Sequence, residues 1–306
     1  RWLSDWSSDV CSSDLTPHAS ASLFTHRRYF MPFAGIDIGS TMTKVVIVDE
    51  NEKMLASHIG PTGAEHRHLA LKVTEETIQK TGLLFENLDF IVATGYGRIN
   101  VPFADKQITE ITCHARGIRA LFPTAKIIID IGGQDSKGIK LDAEGKVANF
   151  VMNDKCAAGT GRFLEVIAET LGINLVDMGD IALKANGFVQ ISNMCTVFAE
   201  HEVTSRLAEG AGVAEIVAGL HEAIAGRVVN MTRHLGIEKD VIVTGGGAKN
   251  IGLIKAIAGK VGFDVLTPPE PFITGALGAA LIGKDFYDRG VRPASERKRE
   301  DVKFFS

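Results

Sequence analysis

The chain has 306 residues, of which 45% are hydrophobic and 23% charged, and a formal net charge of -4 at pH 7. This length favours two domains, and the mild acidity gives no electrostatic footprint for nucleic acid. No apolar run approaches the ~18 residues that a membrane span needs, so we expect a soluble protein with no membrane partner. Four cysteines are too few for a secreted disulfide scaffold, which indicates a cytoplasmic protein.

Residues 1–30 do not resemble the rest of the chain. They are rich in serine and show neither the strand period of two nor the helix period of 3.6. Met31 stands immediately before the first convincing strand. We interpret 1–30 as a disordered or non-native extension, with Met31 as the natural start and Cys11 irrelevant to function.

From residue 34 the hydrophobic pattern predicts three strands and then a helix over 64–81. The strands are expected at 34–38, 43–48 and 55–59. The same order then recurs before another helix. The second set of strands is expected at 127–131, 137–141 and 147–152.

The two sets share one register. The interval from Asp37 to Asp49 is 12 positions, as is the interval from Asp130 to Asp142, and both sets open with Ile-Asp-Ile-Gly. A strand, turn glycine, hairpin and helix repeated at a shift of 93 residues indicate duplicated halves. Two such halves leave a cleft between them, with each Asp-x-Gly turn pointing in.

The repeat divides the chain into an expected first half over 31–125 and a second half over 126–290. We expect the last helix of the second half to pack back on the first half, and 291–306 to form a tail.

The cleft suits a nucleoside triphosphate, because turn glycines let backbone N–H groups approach phosphate oxygens while aspartates hold Mg²⁺ through water. Each turn taken alone is also compatible with an ordinary hairpin. The candidates for Mg²⁺ and water positioning are Asp37, Asp130 and Asp135. The candidates for phosphate binding are Ser40, Thr41, Met42, Thr43, Lys44, Gly132, Gly133 and Gln134.

A third glycine cluster follows an apolar strand at 241–243 and precedes a helix at 251–260. A glycine turn at a helix N-terminus lets backbone meet a ligand, although a tight loop between strand and helix remains an alternative. The cluster is neither a Walker loop nor a Rossmann fingerprint. Its residues, expected on the adenosine side, are Thr244, Gly245, Gly246, Gly247 and Ala248.

The segments 37–41, 130–135 and 243–247 resemble the phosphate-1, phosphate-2 and adenosine motifs of the sugar kinase/Hsp70/actin superfamily. This resemblance implies an α/β fold with duplicated actin/Hsp70-like (ribonuclease H-like) halves and ATP in the cleft between them. The superfamily includes kinases, chaperones and filaments. A small-molecule kinase and a filament or chaperone nucleotide domain therefore stay open at this point.

Two cysteines, Cys156 and Cys195, are each expected at a helix N-terminus, where the dipole and free N–H groups favour a thiolate. They are also expected to follow the second sheet by four positions, after Met152 and Ile191. For the first helix the apolar face is predicted from Phe163, Leu164, Ile167 and Leu171, with Gly172 ending it. For the second helix the predicted N-caps are Ser192 and Asn193, and the predicted apolar side is Val197, Phe198, Val203 and Leu207.

Two thiolates form half of a ligand set. A [4Fe–4S] cluster normally takes four cysteines, and a two-fold dimer would supply two from each chain. Tetrahedral zinc needs the same geometry without any use for ATP. Cys113 is interpreted as a small buried hydrophobe.

The segments 153–163 and 192–200 closely resemble the activators of 2-hydroxyacyl-CoA dehydratases. The same family includes ATP-binding subunits of benzoyl-CoA reductase and reductases of double-cubane cluster proteins. The likeness covers about 33–283, including 93–98 and 109–114. It implies a homodimer with one [4Fe–4S] cluster at the interface, ligated by Cys156 and Cys195 of each chain, and ATP in each cleft.

The resemblance also implies how such a protein works. A reduced ferredoxin or flavodoxin loads the cluster, ATP changes the angle between the two cysteine helices, and the electron passes to a partner iron–sulfur enzyme. The partner stays open among a dehydratase, an aromatic-ring reductase and a double-cubane protein.

Overall fold

The computed structural model describes residues 31–63, 65–191 and 195–293. The predicted extension at 1–30, most of the predicted tail and the predicted N-caps Ser192 and Asn193 lie outside the described residues. Among the described residues, no helix is long and apolar enough to cross a membrane.

Nine strands and eight α-helices are described. The strands are β1 (Phe33–Ile38), β2 (Met42–Val48), β3 (Met54–Pro61), β4 (Phe90–Thr94), β5 (Lys106–Gln107), β6 (Ile127–Ile131), β7 (Ser136–Leu141), β8 (Val147–Asn153) and β9 (Val241–Thr244). The helices are α1 (His66–Gln79), α2 (Glu110–Leu121), α3 (Gly161–Leu171), α4 (Met178–Leu183), α5 (Thr196–Ala208), α6 (Val213–Arg233), α7 (Ile251–Val261) and α8 (Thr274–Asp288). The two predicted sets of strands are confirmed, with ends that differ by at most two residues.

The strands form two sheets of the same design. The first has the order β3-β2-β1-β4-β5 and the second β8-β7-β6-β9. In each sheet three antiparallel strands are followed by a strand parallel to the first one. Even the irregularity repeats, because the strand register shifts between Ile47 and Val48 in one sheet and between Lys140 and Leu141 in the other.

Helices α2 and α8 cover the inner faces of the sheets. Strands β1 and β6 are buried along their whole length, which requires cover on both faces. Ile36 of β1 belongs to the core shared with α1, whereas Phe33 belongs to the core shared with α8. Likewise Ile129 of β6 packs with α6, and Ile128 packs with α2. Because side chains alternate along a strand, the inner face also receives Asp37 and Asp130.

Glycines allow α8 to lie directly on its neighbours. A Cβ added at Gly35 of β1 would collide with the backbone of α8, at Ala276 and Ala280. A Cβ at Gly278 of α8 would collide with the carbonyl oxygen of Cys113 in α2. The close contact of β1, α8 and α2 is therefore between backbones, and it requires residues without side chains.

The variant Gly278→Ala tests this packing. We expect it to lower the free energy of unfolding by about 2–3 kcal/mol, because the added methyl group meets backbone that has no room to shift. The matched control is Gly259→Ala in α7, where nothing lies near the added Cβ. Alanine should there be neutral or stabilising by up to about 1 kcal/mol. Urea unfolding of both variants makes the comparison, and equal stabilities would contradict the packing.

Candidate functional site

A cavity of about 690 Å³ is bordered by residues of both sheets. Asp37 is the next-to-last residue of β1 and Asp130 the next-to-last residue of β6. Both carboxylates are buried and both border the cavity. The duplicated strands thus bring the two predicted acids to one place.

The turn after each of these strands also reaches the cavity. In the first turn the N–H of Gly39 donates to the carbonyl of Met42, at 3.1 Å, and in the second the N–H of Gly132 donates to the carbonyl of Asp135, at 2.9 Å. A Cβ at Gly133 would collide with the hydroxyl of Thr41. The two turns therefore approach each other closely at a residue that has no side chain.

A second pair of glycines supports the acids from behind. Gly95 follows β4 and Gly245 follows β9, with φ angles of 82° and 80°. A Cβ at Gly95 would collide with the Asp37 carboxylate, and a Cβ at Gly245 with the Asp130 carboxylate. Glycine is required at both positions by the positive φ and by the acid beside it.

Lysines seven residues after the aspartates balance part of the negative charge. Lys44 Nζ lies 3.2 Å from Asp37 Oδ2. The buried Lys137 lies 3.2 Å from Asp130, 2.7 Å from Asp135 and 3.3 Å from Glu110. Four carboxylates thus face two ammonium groups, and the cluster keeps an excess of negative charge.

The environment alters three of these ionisations. Burial works against the charged form of Asp130, but neighbouring positive groups, Lys137 among them, outweigh it and lower the pKa of this carboxyl. Burial works against the charged form of Lys137, but Asp130, Glu110 and Asp135 outweigh it and raise the pKa of the lysine, which stays protonated. Burial raises the pKa of Glu110 above its ordinary value, although Lys137 opposes the shift. Glu110 also lines the cavity.

The residues present fit a hydrated divalent cation. The excess of two carboxylates over ammonium groups matches its charge, and Mg²⁺ usually keeps several waters beside phosphate oxygens. Within the described parts of the chain, no three His, Cys, Asp or Glu side chains are grouped closely enough to ligate a metal directly.

Most of the predicted nucleotide residues border the cavity. Those that do are Asp37, Ser40, Thr41, Met42, Lys44, Asp130, Gly132, Gly133, Gln134, Asp135, Gly245, Gly246 and Gly247.

Three others are not among the residues that line it. Thr43 faces away because side chains alternate along β2, and its hydroxyl lies 2.9 Å from that of Thr62. Thr244 donates its hydroxyl inward to the carbonyl of Pro271, at 2.9 Å. Ala248 is buried in the core of the second half.

Sequence reasoning missed several residues of the site. Lys137 had a signal, because it stands 93 positions after Lys44. Glu110 and His114 come from α2, one helical turn apart, and only the fold brings that helix to the cavity. On the other side the ring of Phe272 lies against Gly246, with Lys249 Nζ 5.7 Å from its centre.

The two candidate cluster cysteines differ in setting. Cys195 is exposed and is the N-cap residue of α5, so the predicted helix start at this cysteine is confirmed. The cap itself had been predicted at Ser192 or Asn193. Cys156 is half-buried in an irregular segment, and α3 begins only at Gly161. The expectation of a helix start at Cys156 is therefore wrong, because the glycine-rich residues after it form a turn before the helix. Ile191, expected to end a strand, also lies outside any strand.

Helix α3 has the predicted apolar face and ends at Gly172 in the left-handed conformation. Helix α5 departs from prediction. Val203 is buried in the core, but Val197 and Phe198 are each 60% exposed. Two apolar side chains therefore lie on the surface within three residues of Cys195.

Hydrogen bonds tie the Cys156 segment to the phosphate turn. The N–H groups of Gly161 and Arg162 donate to the carbonyls of Gly132 and Gly133, both at 2.8 Å. At the other end the side chain of Asn153 donates to the carbonyls of Cys156, at 2.8 Å, and Ala158, at 3.1 Å. The segment is thus held between the last residue of β8 and the turn that borders the cavity.

Two sheets of one design, with facing Asp-x-Gly turns and a cavity between them, define an actin/Hsp70-like fold, as predicted. A model described as the BadF/BadG/BcrA/BcrD ATPase family matches residues 34–283, and the chain belongs to this family.

Three similar proteins are informative. The activator of lactoyl-CoA dehydratase from Anaerotignum propionicum is 48% identical over 249 residues, which cover 81% of this chain and 95% of that protein. The crystal structure of Acidaminococcus fermentans (R)-2-hydroxyglutaryl-CoA dehydratase component A has a TM-score of 0.81 and 40% identity, covering 83% of this chain and 98% of that one. The activator of the 2-hydroxyisocaproyl-CoA dehydratase from Clostridium difficile, with bound ADPNP, has a TM-score of 0.79 and 43% identity, covering 90% and 100%.

The variant Lys137→Met tests the buried charge balance. We expect it to lower the free energy of unfolding by about 3–5 kcal/mol at pH 7, because the buried Asp130 and the half-buried Asp135 lose their cation. The difference from the parent should shrink as the pH falls, because in the variant Lys137 no longer lowers the pKa of Asp130, and burial then favours the protonated carboxyl, which needs no cation.

Urea unfolding at pH 7 and 4.5 measures both effects. The control Lys72→Met removes an exposed pair with Glu76 and should change stability by less than about 1 kcal/mol. A loss that is the same at both pH values would contradict the charge argument.

Proposed function

We propose that this protein is an ATP-driven activator that passes low-potential electrons to a partner iron–sulfur enzyme. The partner is proposed to be a 2-hydroxyacyl-CoA dehydratase, with a double-cubane protein or a benzoyl-CoA reductase as the alternatives. A ferredoxin or flavodoxin would supply the electron. The working form would be a homodimer with one [4Fe–4S] cluster held by Cys156 and Cys195 of both chains.

The observation that carries the proposal is the link between the phosphate turn and the Cys156 segment. The carbonyls of Gly132 and Gly133 accept the first N–H groups of α3, so a shift of this turn pulls on the start of α3. Asn153 holds the other end of the same segment on the carbonyls of Cys156 and Ala158. A displacement of the phosphate turn on a change of nucleotide is therefore transmitted to Cys156 through these hydrogen bonds.

The thiols present fit a shared cluster. Cys156 and Cys195 both reach solvent, and α3, which follows the Cys156 segment, packs against α5. Cys113 is fully buried, and burial raises the pKa of its thiol to about 12, so we do not assign it as a ligand. In the proposed dimer a second chain supplies the other thiolates. The exposed Val197 and Phe198 beside Cys195 provide an apolar surface for that contact.

When bound, the cluster supplies a one-electron carrier whose potential depends on its surroundings. The chain's own contribution is to set those surroundings. Cys195 stands where the free N–H groups of α5 favour negative charge, and Cys156 moves with the segment described above.

For the nucleotide, the residues of the two turns would surround the phosphates. The N–H groups of Gly133 and Gln134, the hydroxyls of Ser40 and Thr41, and Lys44 are placed to contact phosphate oxygens. Asp37, Asp130 and Asp135 would hold the waters of Mg²⁺. Gly246, Gly247 and Phe272 also border the cavity, and adenosine would lie against them. Hydrolysis adds water to the γ-phosphorus and releases ADP and phosphate.

Removal of either candidate ligand tests the cluster. Cys156→Ser and Cys195→Ser should each abolish bound iron in protein purified without oxygen, because a shared site then loses two of its four ligands. The control Cys113→Ala should keep its iron, since that thiol is buried and protonated. Iron analysis of the parent should give four irons per dimer. Full iron in either serine variant, or four irons per monomer, would refute the ligand assignment.

The link itself is tested by Asn153→Ala. In the parent, Mg-ATP but not Mg-AMP should change the rate at which an iron chelator removes the cluster, and should shift its EPR signal. The variant should keep its iron and its ATP hydrolysis but lose most of both effects, because Cys156 is released from β8. The control Asn149→Ala, on the exposed surface of the same strand, should behave as the parent does. An undiminished nucleotide effect in Asn153→Ala would show that coupling takes another route.

A further inference from the structure

A chain of buried hydrogen bonds crosses from the second sheet to α2. The hydroxyl of Thr244, the last residue of β9, donates to the carbonyl of Pro271 at 2.9 Å. The oxygens of Thr244 and Thr274 are 2.8 Å apart, and Thr274 lies 3.0 Å from Nδ1 of His114. Both threonines are fully buried and His114 nearly so.

The direction of each bond follows from the number of protons. A carbonyl oxygen only accepts, so the single proton of the Thr244 hydroxyl is committed to Pro271. Thr274 must then donate to Thr244, and its oxygen accepts a proton from His114. The histidine ring therefore carries its hydrogen on Nδ1. A divalent cation bound beside the ring disfavours a further positive charge there, so in the loaded site the ring is neutral and Nε2 is left with a lone pair.

That lone pair faces the acids of both halves. His114 Nε2 is 3.9 Å from Asp130 Oδ2, too far for a hydrogen bond. A Cβ built on Gly275 would lie 3.2 Å from Asp37 Oδ2 and 3.3 Å from His114 Nε2, so both atoms border the same point. A ring nitrogen without hydrogen and two carboxylates are all acceptors. Only a group that donates hydrogen bonds satisfies them together.

We propose that His114 is a positioning residue whose Nε2 accepts a hydrogen bond from a water molecule of the nucleotide's Mg²⁺. The hydroxyls of Thr244 and Thr274 fix the ring in the tautomer and orientation that this bond requires. Asp37 and Asp130 hold further waters of the same ion. The inference rests on the magnesium nucleotide site proposed above, but not on the iron–sulfur cluster.

The hydrogen bond from this water to His114 would link the cation to several elements of the fold. His114 belongs to α2, Thr274 to α8 and Thr244 to β9, so one water bound by His114 connects the cation to three elements at once. A side chain that only filled space there would not need a polar edge aimed into the cavity.

The test compares nucleotide affinity with and without the metal. Isothermal titration of the full chain with a non-hydrolysable ATP analogue, in Mg²⁺ and in EDTA, gives the factor by which Mg²⁺ tightens binding. This factor should fall about five- to tenfold in Thr274→Val and in His114→Asn, the usual worth of one hydrogen bond. Binding in EDTA should stay as in the parent.

The variants distinguish loss of the hydrogen-bonding atoms from a change in side-chain volume. Asparagine at residue 114 keeps a donor towards Thr274 but has no atom in place of Nε2, whereas Thr274→Ser keeps the hydroxyl and should restore the Mg²⁺ factor. Thr77→Val is the matched control, because its buried hydroxyl donates to the carbonyl of Val73 within α1. That variant should bind as the parent does.

Two results would overturn the inference. One is a Mg²⁺ factor that is unchanged in both Thr274→Val and His114→Asn. The other is an equal loss of affinity in Mg²⁺ and in EDTA, which is the mark of a merely structural role. Neither measurement involves iron, so absence of the cluster would defeat the proposed electron transfer and leave this inference standing.

Discussion

Two buried carboxylates that face one cavity set the requirements for the rest of this structure. Asp37 and Asp130 stand at the ends of the two central strands, where burial disfavours their charge. A lysine follows each after seven residues, and α2 adds Glu110 and His114 to the same cluster. The net charge of these side chains stays negative, which favours binding of a cation together with the phosphates. The glycines behind the carboxylates give each acid its space.

The two halves differ where the function is proposed to lie. In the first, Thr94 ends β4 with a buried hydroxyl that lies beside the thiol of Cys113. In the second, the equivalent Thr244 is bonded to Pro271 and Thr274. The second half also carries four helices between β8 and β9, and both candidate cluster cysteines belong to that stretch. Duplication thus accounts for the nucleotide cavity, and the departures from it account for the proposed coupling.

The sequence was most informative where a pattern had a fixed period. Alternation and the shift of 93 residues located the strands and the two turns. The same shift applied to Lys44 would also have pointed to Lys137. The contribution of α2 was not predictable in this way, because Glu110 and His114 reach the cavity only through the packing of that helix under α8. The turn before α3 was missed for another reason: glycines near a helical pattern do not reveal where the first helical hydrogen bond forms. The exposed Val197 and Phe198 show that apolar periodicity alone cannot distinguish a core face from a surface face.

The position of α8 has a consequence for how the chain is made. The inner face of the first sheet, with Phe33, Phe90 and Val92, is covered by the last described helix. During translation these strands leave the ribosome long before residues 274–288 do. Until then the nascent first half has a bare apolar face and no local partner for it, a condition that favours slow folding and aggregation. The second sheet packs mainly against α6, so it can form its core before α8 has emerged to cover the first sheet.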